Sequence, residues 1–153
     1  MININKGYLR LVMESDIDFL FQLANDPLCR NNSFHTEPII YSEHTSWFNQ
    51  ILHSDSKRLY IYMSDSNQCI GQIRLDFDKK EVCISYSIKN EFRGQGYGKS
   101  IILRAEDIIR SYHDIKEIHA KVKPNNVASR SIFEHLNYIE NVNESYIEYI
   151  KLL

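Results

Sequence analysis

Apolar residues in this chain recur at two spacings, and each change of spacing marks an element. In residues 7–13 (GYLRLVM), Leu9 and Leu11 stand two apart, as in a strand with one buried face. From Ser15 the apolar positions Ile17, Leu20, Phe21 and Ala24 follow a helical stripe, with Ser15 and Asp18 as a capping pair and Pro27 as the stop. Residues 29–40 carry no period and read as a loop. Ser42 then caps a second helix over 43–52, whose inner side is Trp47, Phe48, Ile51 and Leu52. Three strands follow at 58–63, 69–77 and 81–89. The turns between them are too short for a crossover, so they form an antiparallel meander. Ile101, Ile102, Ala105, Ile108, Ile109 and Tyr112 predict a long helix. Strand spacing returns at 117–123, a shorter helix covers about 127–136, and 146–150 gives a last strand. The order β-αα-βββ-α-β-α-β predicts a single α/β (α+β) domain over 1–153, with a mixed, largely antiparallel sheet and helices on both faces.

Composition narrows the partners. Apolar residues make up 43% and charged residues 25%, which suits one packed domain. A formal net charge of -2 argues against broad binding of nucleic acid or of an anionic membrane. No apolar run reaches the roughly 18 residues of a membrane span, and the start lacks the apolar stretch of a secretory signal. Cys29, Cys69 and Cys83 are odd in number and lack C-x-x-C spacing, so they read as reduced core thiols of a cytoplasmic protein. The histidines show no metal-ligand spacing, and no metal is expected.

The candidate chemistry lies at residues 91–100 (EFRGQGYGKS). Three of the chain's five glycines, Gly94, Gly96 and Gly98, stand here between a strand and the long helix. At such a junction backbone N–H groups and the positive end of the helix dipole can meet an anion, and glycine lets the backbone come close. Arg93 and Lys99 add charge. The P-loop pattern needs glycine where Arg93 stands. The dinucleotide pattern fails too, because its last glycine position is Lys99 or Ile101.

Arg93, Gly96 and Gly98 do fit Gln/Arg-x-x-Gly-x-Gly/Ala, the pyrophosphate loop of the GCN5-related N-acetyltransferase (GNAT) family. Residues 84–109 resemble that family's strand–loop–helix core, and residues 118–138 resemble its next strand and helix. The resemblance implies the GNAT fold, with an acetyl-CoA core over about 82–138 and an acceptor side mainly over 1–56. It implies that Ser87, Ile88 and Lys89 splay from the neighbouring strand at a bulge and offer main-chain groups to the pantetheine arm. Arg93, Gly94, Gln95, Gly96, Tyr97, Gly98, Lys99 and Ser100 then hold the pyrophosphate, and a main-chain N–H near Ile88 stabilises the oxyanion. Asn126 bonds the pantetheine, caps its helix, or does both.

Phe133 stands where many members carry a tyrosine acid. Helical spacing puts Ser129 and Phe133 on the side of Asn126 that faces the cofactor, so Ser129 is a polar candidate and Phe133 a packing residue beside the thioester. Tyr86 and Tyr138 are the candidate phenols. The thiolate can also leave without a dedicated acid, since a thiol is already acidic.

On the acceptor side the candidates are Glu43, His44 and Arg74, with Glu37 and His35 in the loop. Gln72, Arg74 and Asp76 share one strand face by alternation. The front half resembles enzymes of two subgroups. One acetylates nucleotide-linked amino sugars of the pseudaminic-acid pathway type, and the other acetylates ribosomal-protein N-termini. The expected function is transfer of acetyl from acetyl-CoA to a primary amine of a small molecule, first a nucleotide-linked amino sugar and second a protein N-terminus. A non-catalytic acyl-CoA-binding module is the third reading, and a homodimer is left open.

Overall fold

A computed structural model describes residues 6–153. Its strands are β1 (Tyr8–Leu11), β2 (Lys57–Met63), β3 (Cys69–Asp78), β4 (Glu81–Ile88), β5 (Glu117–Val122), β6 (Ile139–Val142) and β7 (Ile147–Leu152). They form one sheet in the order β1-β2-β3-β4-β5-β7-β6. Each neighbouring pair is antiparallel except β4–β5. The helices are α1 (Ile17–Ala24), α2 (Pro27–Asn32), α3 (Tyr41–Leu52), α4 (Tyr97–Arg110) and α5 (Val127–His135).

Alternation along the strands divides two cores between the faces of the sheet. Leu59, Ile61 and Met63 of β2 pack against Leu20 of α1 and Phe48 and Ile51 of α3. Ile73, Leu75, Val82, Ile84, Ile118 and Ala120 point the other way, onto Ile101, Ile102, Ala105 and Ile109 of α4 and Phe133 of α5. The α+β class, the mixed sheet and helices on both faces are therefore as the sequence predicts.

The differences are local. Pro27 does not end structure but opens α2 as its first residue, with the Asp26 carboxylate accepting from the Leu28 and Cys29 N–H groups. Proline fits there because its missing N–H would have no helical partner. Asp16, not Asp18, organises the start of α1. It accepts from the Met13 N–H and holds Arg10 through two bonds of 2.8 Å. α3 starts at Tyr41 without a side-chain cap, so Ser42 does not cap it. Its buried residues are His44, Phe48 and Ile51, while Trp47 and Leu52 are half-buried. Leu11 is exposed, and no cysteine is fully buried. β6 carried no periodic signal because all four of its residues are exposed at the sheet edge.

The parallel pair is short. β4 and β5 are in register only at Glu81↔Glu117, Val82↔Ile118 and Cys83↔His119. His119 clamps this base. Its Nδ1 lies 2.9 Å from Glu148, and its Nε2 lies 2.7 Å from Glu117 and 3.6 Å from Glu81. Burial opposes its charge, but the bonds to Glu117 and Glu148 outweigh this and raise its pKa above the ordinary 6.5. A raised folded value favours the imidazolium. Its stabilisation is complete below the unfolded pKa and is lost as pH rises through the folded one. His119→Gln should therefore cost most stability near about pH 6 and least near about pH 9. Urea midpoints of both proteins across that range check this, and a pH-independent difference contradicts it.

Candidate active site

Beyond Cys83 the two strands part. β5 follows β7 along its whole length, from Glu117↔Leu152 to Val122↔Ile147. β4 stays with β3 in unbroken register from Asp78↔Glu81 to Gly71↔Ile88. The expected splay is present, but the expected bulge is not in β4. The register shift in this part of the sheet lies between β2 and β3, at Tyr62/Met63.

Alternation fixes which groups face the gap. Lys89 N–H bonds Ile70 C=O at 2.7 Å, and Lys80 C=O accepts from Lys116 N–H at the start of β5. Odd residues of β4 thus bond β3, and even residues turn their main chain towards β5. Ile88 N–H accordingly points into the opening. This corrects the reading of Ser87 and Lys89: the Ser87 main chain and the Lys89 N–H are taken by β3, and the Lys89 C=O accepts from Phe92 N–H at 2.9 Å. The Ser87 hydroxyl accepts from Gln72 Nε2 at 2.9 Å, and Lys89 pairs with Glu91.

The glycine loop closes the top of the gap. Gly94 and Gly96 adopt φ of 74° and 84°, the left-handed region that glycine enters readily. Gly96 is the N-cap of α4 and supplies no side-chain acceptor, so the N–H groups of the first turn are left for another partner. Gly98 makes room instead: a Cβ there would come within 2.7 Å of Ile132 Cδ1 on α5. Lys99 lines the cavity with the glycines. Gln95 and Ser100 do not join it. Gln95 bonds Glu91 C=O, and the buried Ser100 hydroxyl bonds back to Gly96 C=O. The Tyr97 ring packs edge-on to Tyr62 and Phe92.

Arg93 is a strut. Its Nε donates to Ile88 C=O at 3.0 Å, Nη1 to Asn90 at 3.3 Å, and Nη2 to Asp26 Oδ2 at 2.6 Å and Cys29 Sγ at 3.4 Å. Its guanidinium is engaged within the protein, and Arg93 lines the cavity beside the loop to which it was expected to add charge. Burial opposes ionisation of Asp26, but Arg93 and the Cys29 and Leu28 N–H groups hold its carboxyl below the ordinary value. Burial also pushes the Cys29 thiol up.

Two candidates from distant parts of the sequence meet: Tyr86 OH and Ser129 Oγ lie 2.7 Å apart. Burial raises the Tyr86 pKa despite that bond, so the phenol keeps its proton at neutral pH. Asn126 accepts from Ser129 N–H at 3.3 Å, which makes it the N-cap of α5. Phe133 is buried behind them, stacked on Tyr149 with centroids 5.2 Å apart and edge-on to Tyr86 at 6.3 Å. Tyr138 is not part of this group. It donates to the buried Glu106 at 2.8 Å, which also binds Lys151, and burial with that carboxylate raises its pKa.

Tyr86, Ile88, Asn126, Ser129, Phe133 and the three glycines line a cavity of about 1090 Å³ that runs from the glycine loop to α1–α3. Glu43, His44 and Arg74 line it, as do Gln72, Ser85 and Lys121, which share the Arg74 face of the sheet. The repeated polar residues Ser85 and Ser87 in β4 were the readable signal for this floor. His44 is a tether: its Nε2 bonds Ile17 C=O at 2.9 Å among the rings of Phe21, Trp47 and Phe48. α2 bridges the far wall, where Lys123 bonds Asn31 C=O and Phe34 meets Tyr146 edge-on.

Residues 8–139 match the family described as Acetyltransferase (GNAT) domain. No curated protein matches the chain in sequence. Among solved structures, spermidine N-acetyltransferase from Vibrio cholerae in complex with CoA and spermine superposes with a TM-score of 0.85. It is 19% identical and covers 96% of this chain and 95% of its own. A domain from Methanocaldococcus jannaschii DSM 2661 has the same score and identity, over 97% and 99%. A dodecameric structure of the Vibrio cholerae enzyme in an intermediate state scores 0.77 at 19% identity, over 96% and 94%. Among the described residues no helix is long and apolar enough to cross a membrane.

The Asp26–Arg93 strut and the Asp26 cap of α2 can be tested together. Asp26→Ala removes the α2 cap and strands Arg93, and should cost about 2 kcal/mol in urea denaturation. A loss within about 0.5 kcal/mol, the usual effect of a surface substitution, would show that strut and cap are incidental.

Proposed function

The chain belongs to the GNAT acetyltransferase family and is an acetyl-CoA-dependent N-acetyltransferase, and we propose that it acetylates the primary amine of a small molecule by direct attack within the β4–β5 opening. The observation that carries this reading is the Ile88 N–H, turned by strand register to the opening without a partner among the described residues, beside a helix start with no side-chain cap. The cavity residues fit the cofactor. The N–H groups of Tyr97, Gly98 and Lys99 and the Lys99 ammonium would hold the diphosphate. The opening along Tyr86 to Ile88 would take the pantetheine arm, with Asn126 and Ser129 at its other wall.

Bound there, acetyl-CoA supplies a thioester carbonyl to the acceptor amine. Ile88 N–H donates to the oxygen on which charge develops, and its own carbonyl is held still by Arg93. An ammonium has no lone pair, so a base is required. Glu43 is the one carboxylate among the described residues lining the cavity, and it takes that role. Tyr86, protonated and oriented by Ser129, gives its proton to the leaving sulfur and regains one as the attacking nitrogen sheds its remaining extra proton to become the amide. This replaces the expectation that no dedicated acid is needed, and Phe133 packs behind the phenol.

Nothing in the comparisons supports the nucleotide-sugar or ribosomal-protein subtype, and the neighbours that act on spermidine share only the fold at these identities. The bridge from α2 and Phe34 to Lys123 and Tyr146 encloses the acceptor side, which favours a small molecule over a protein N-terminus.

The experiment is thiol release from acetyl-CoA with a panel of amines, for the wild type and Tyr86→Phe. Tyr86→Phe should lose about 10²-fold in kcat, with acetyl-CoA affinity by calorimetry unchanged. Unchanged turnover would remove Tyr86 as the acid. Absence of acetyl-CoA binding by the wild type would contradict the whole reading.

A further inference from the structure

The acceptor side of the cavity has a floor of defined charge. Arg74 on β3 lies directly opposite Ser85 on β4. Two residues before Ser85, Cys83 is paired with His119 on β5, and two residues after His119 comes Lys121. Strand alternation therefore sets Arg74, Ser85 and Lys121 on one face of the sheet, and all three line the cavity.

Arg74 is paired with Asp76 through one nitrogen only, and Lys121 has no carboxylate partner among the described residues. Arg74 spends only its Nε, on Asp76 at 2.9 Å, and its two terminal amino groups have no partner among the described residues. Lys121 sits 5.2 Å from the centre of the Tyr146 ring. The carboxylate that register sets across from it, Glu148, is bonded to His119 instead. Against these stands Glu43, on the opposite wall.

We propose that Arg74 and Lys121, with the Ser85 hydroxyl between them, bind an anionic group carried by the acceptor. The acceptor is then an amine with a carboxylate or phosphate at its far end, not a polyamine. This rests on the acetyltransfer reading above, because the amine is placed by Ile88. Ser85 is three residues from Ile88 on an extended strand, which separates anion and reacting amine by about 10 Å. That span excludes a simple α-amino acid, whose two charges are too close together. A polyamine would bring further ammonium groups to a floor that repels them.

The test uses one chain length and four end groups: 8-aminooctanoate, 8-aminooctyl phosphate, neutral 8-amino-1-octanol, and spermidine. The two anionic amines should exceed the alcohol and spermidine in kcat/KM by about tenfold or more at low salt, with the advantage falling as salt rises. Their relative rates distinguish carboxylate from phosphate. In Arg74→Gln/Lys121→Gln the ratio of anionic to neutral substrate should fall to about one, while acetyl-CoA affinity by calorimetry reports that the variant is folded. If none of the four is turned over, calorimetry on CoA-loaded protein decides by comparing 8-aminooctyl phosphate with spermidine. Preference for spermidine or the alcohol in either assay overturns the proposal. Loss of acetyl-CoA binding in the wild type instead sinks the acetyltransfer reading, and the same calorimetry without CoA still tests the anion site.

Discussion

The structure turns on the ending of one hydrogen-bond ladder. β4 is bonded along its whole length by β3 and along only three residues by β5. Buried main-chain groups without partners are costly, so a central strand left half-paired needs compensation. At Ile88 the carbonyl accepts from Arg93, while the N–H, turned to the opening, finds no partner among the described residues. β5 is not lost by being peeled away, because its other edge is paired with β7 over six residue pairs. The His119 clamp fixes the point where the two strands separate.

The acceptor and cofactor sides are joined by Arg93. One guanidinium links the Ile88 carbonyl, the loop at Asn90, and the Asp26 cap of α2. α2 and the Phe34 that follows it form the wall that reaches Lys123, just beyond β5, and Tyr146, just before β7. The placement of the Ile88 N–H, the glycine loop and the α2 side of the cavity is thus one connected arrangement. Side chains with roughly 20% exposure at Asp26 and Arg93 keep the pair partly screened from solvent, where a charged bond holds geometry better than at an open surface.

Much of this was legible in the chain. The long helix, the meander and the glycine junction follow from spacing, because the core imposes those periods. Arg93 was visible as a motif residue but not as a strut, since its partner Asp26 lies 67 positions away. Tyr86 and Ser129 were each named, yet only folding across 43 positions brings the hydroxyls together. Tyr138 had the same chemistry on paper and is bound to Glu106 on α4. α2 was missed because proline reads both as a stop and as a first residue, and β6 because an exposed edge strand carries no apolar period.

Backbone amide exchange along β4 tests the central claim directly. Tyr86 and Ile88 turn their N–H groups to the opening, while Ser85 and Ser87 turn theirs to β3. Saturating acetyl-CoA should slow exchange at Ile88 most, then at Tyr86, and leave the ratio of Ser85 to Ser87 as it was. Equal slowing at all four would mean a general stiffening of the fold. No change at Ile88, with the cofactor bound, would show that the opening between β4 and β5 is not where acetyl-CoA lies.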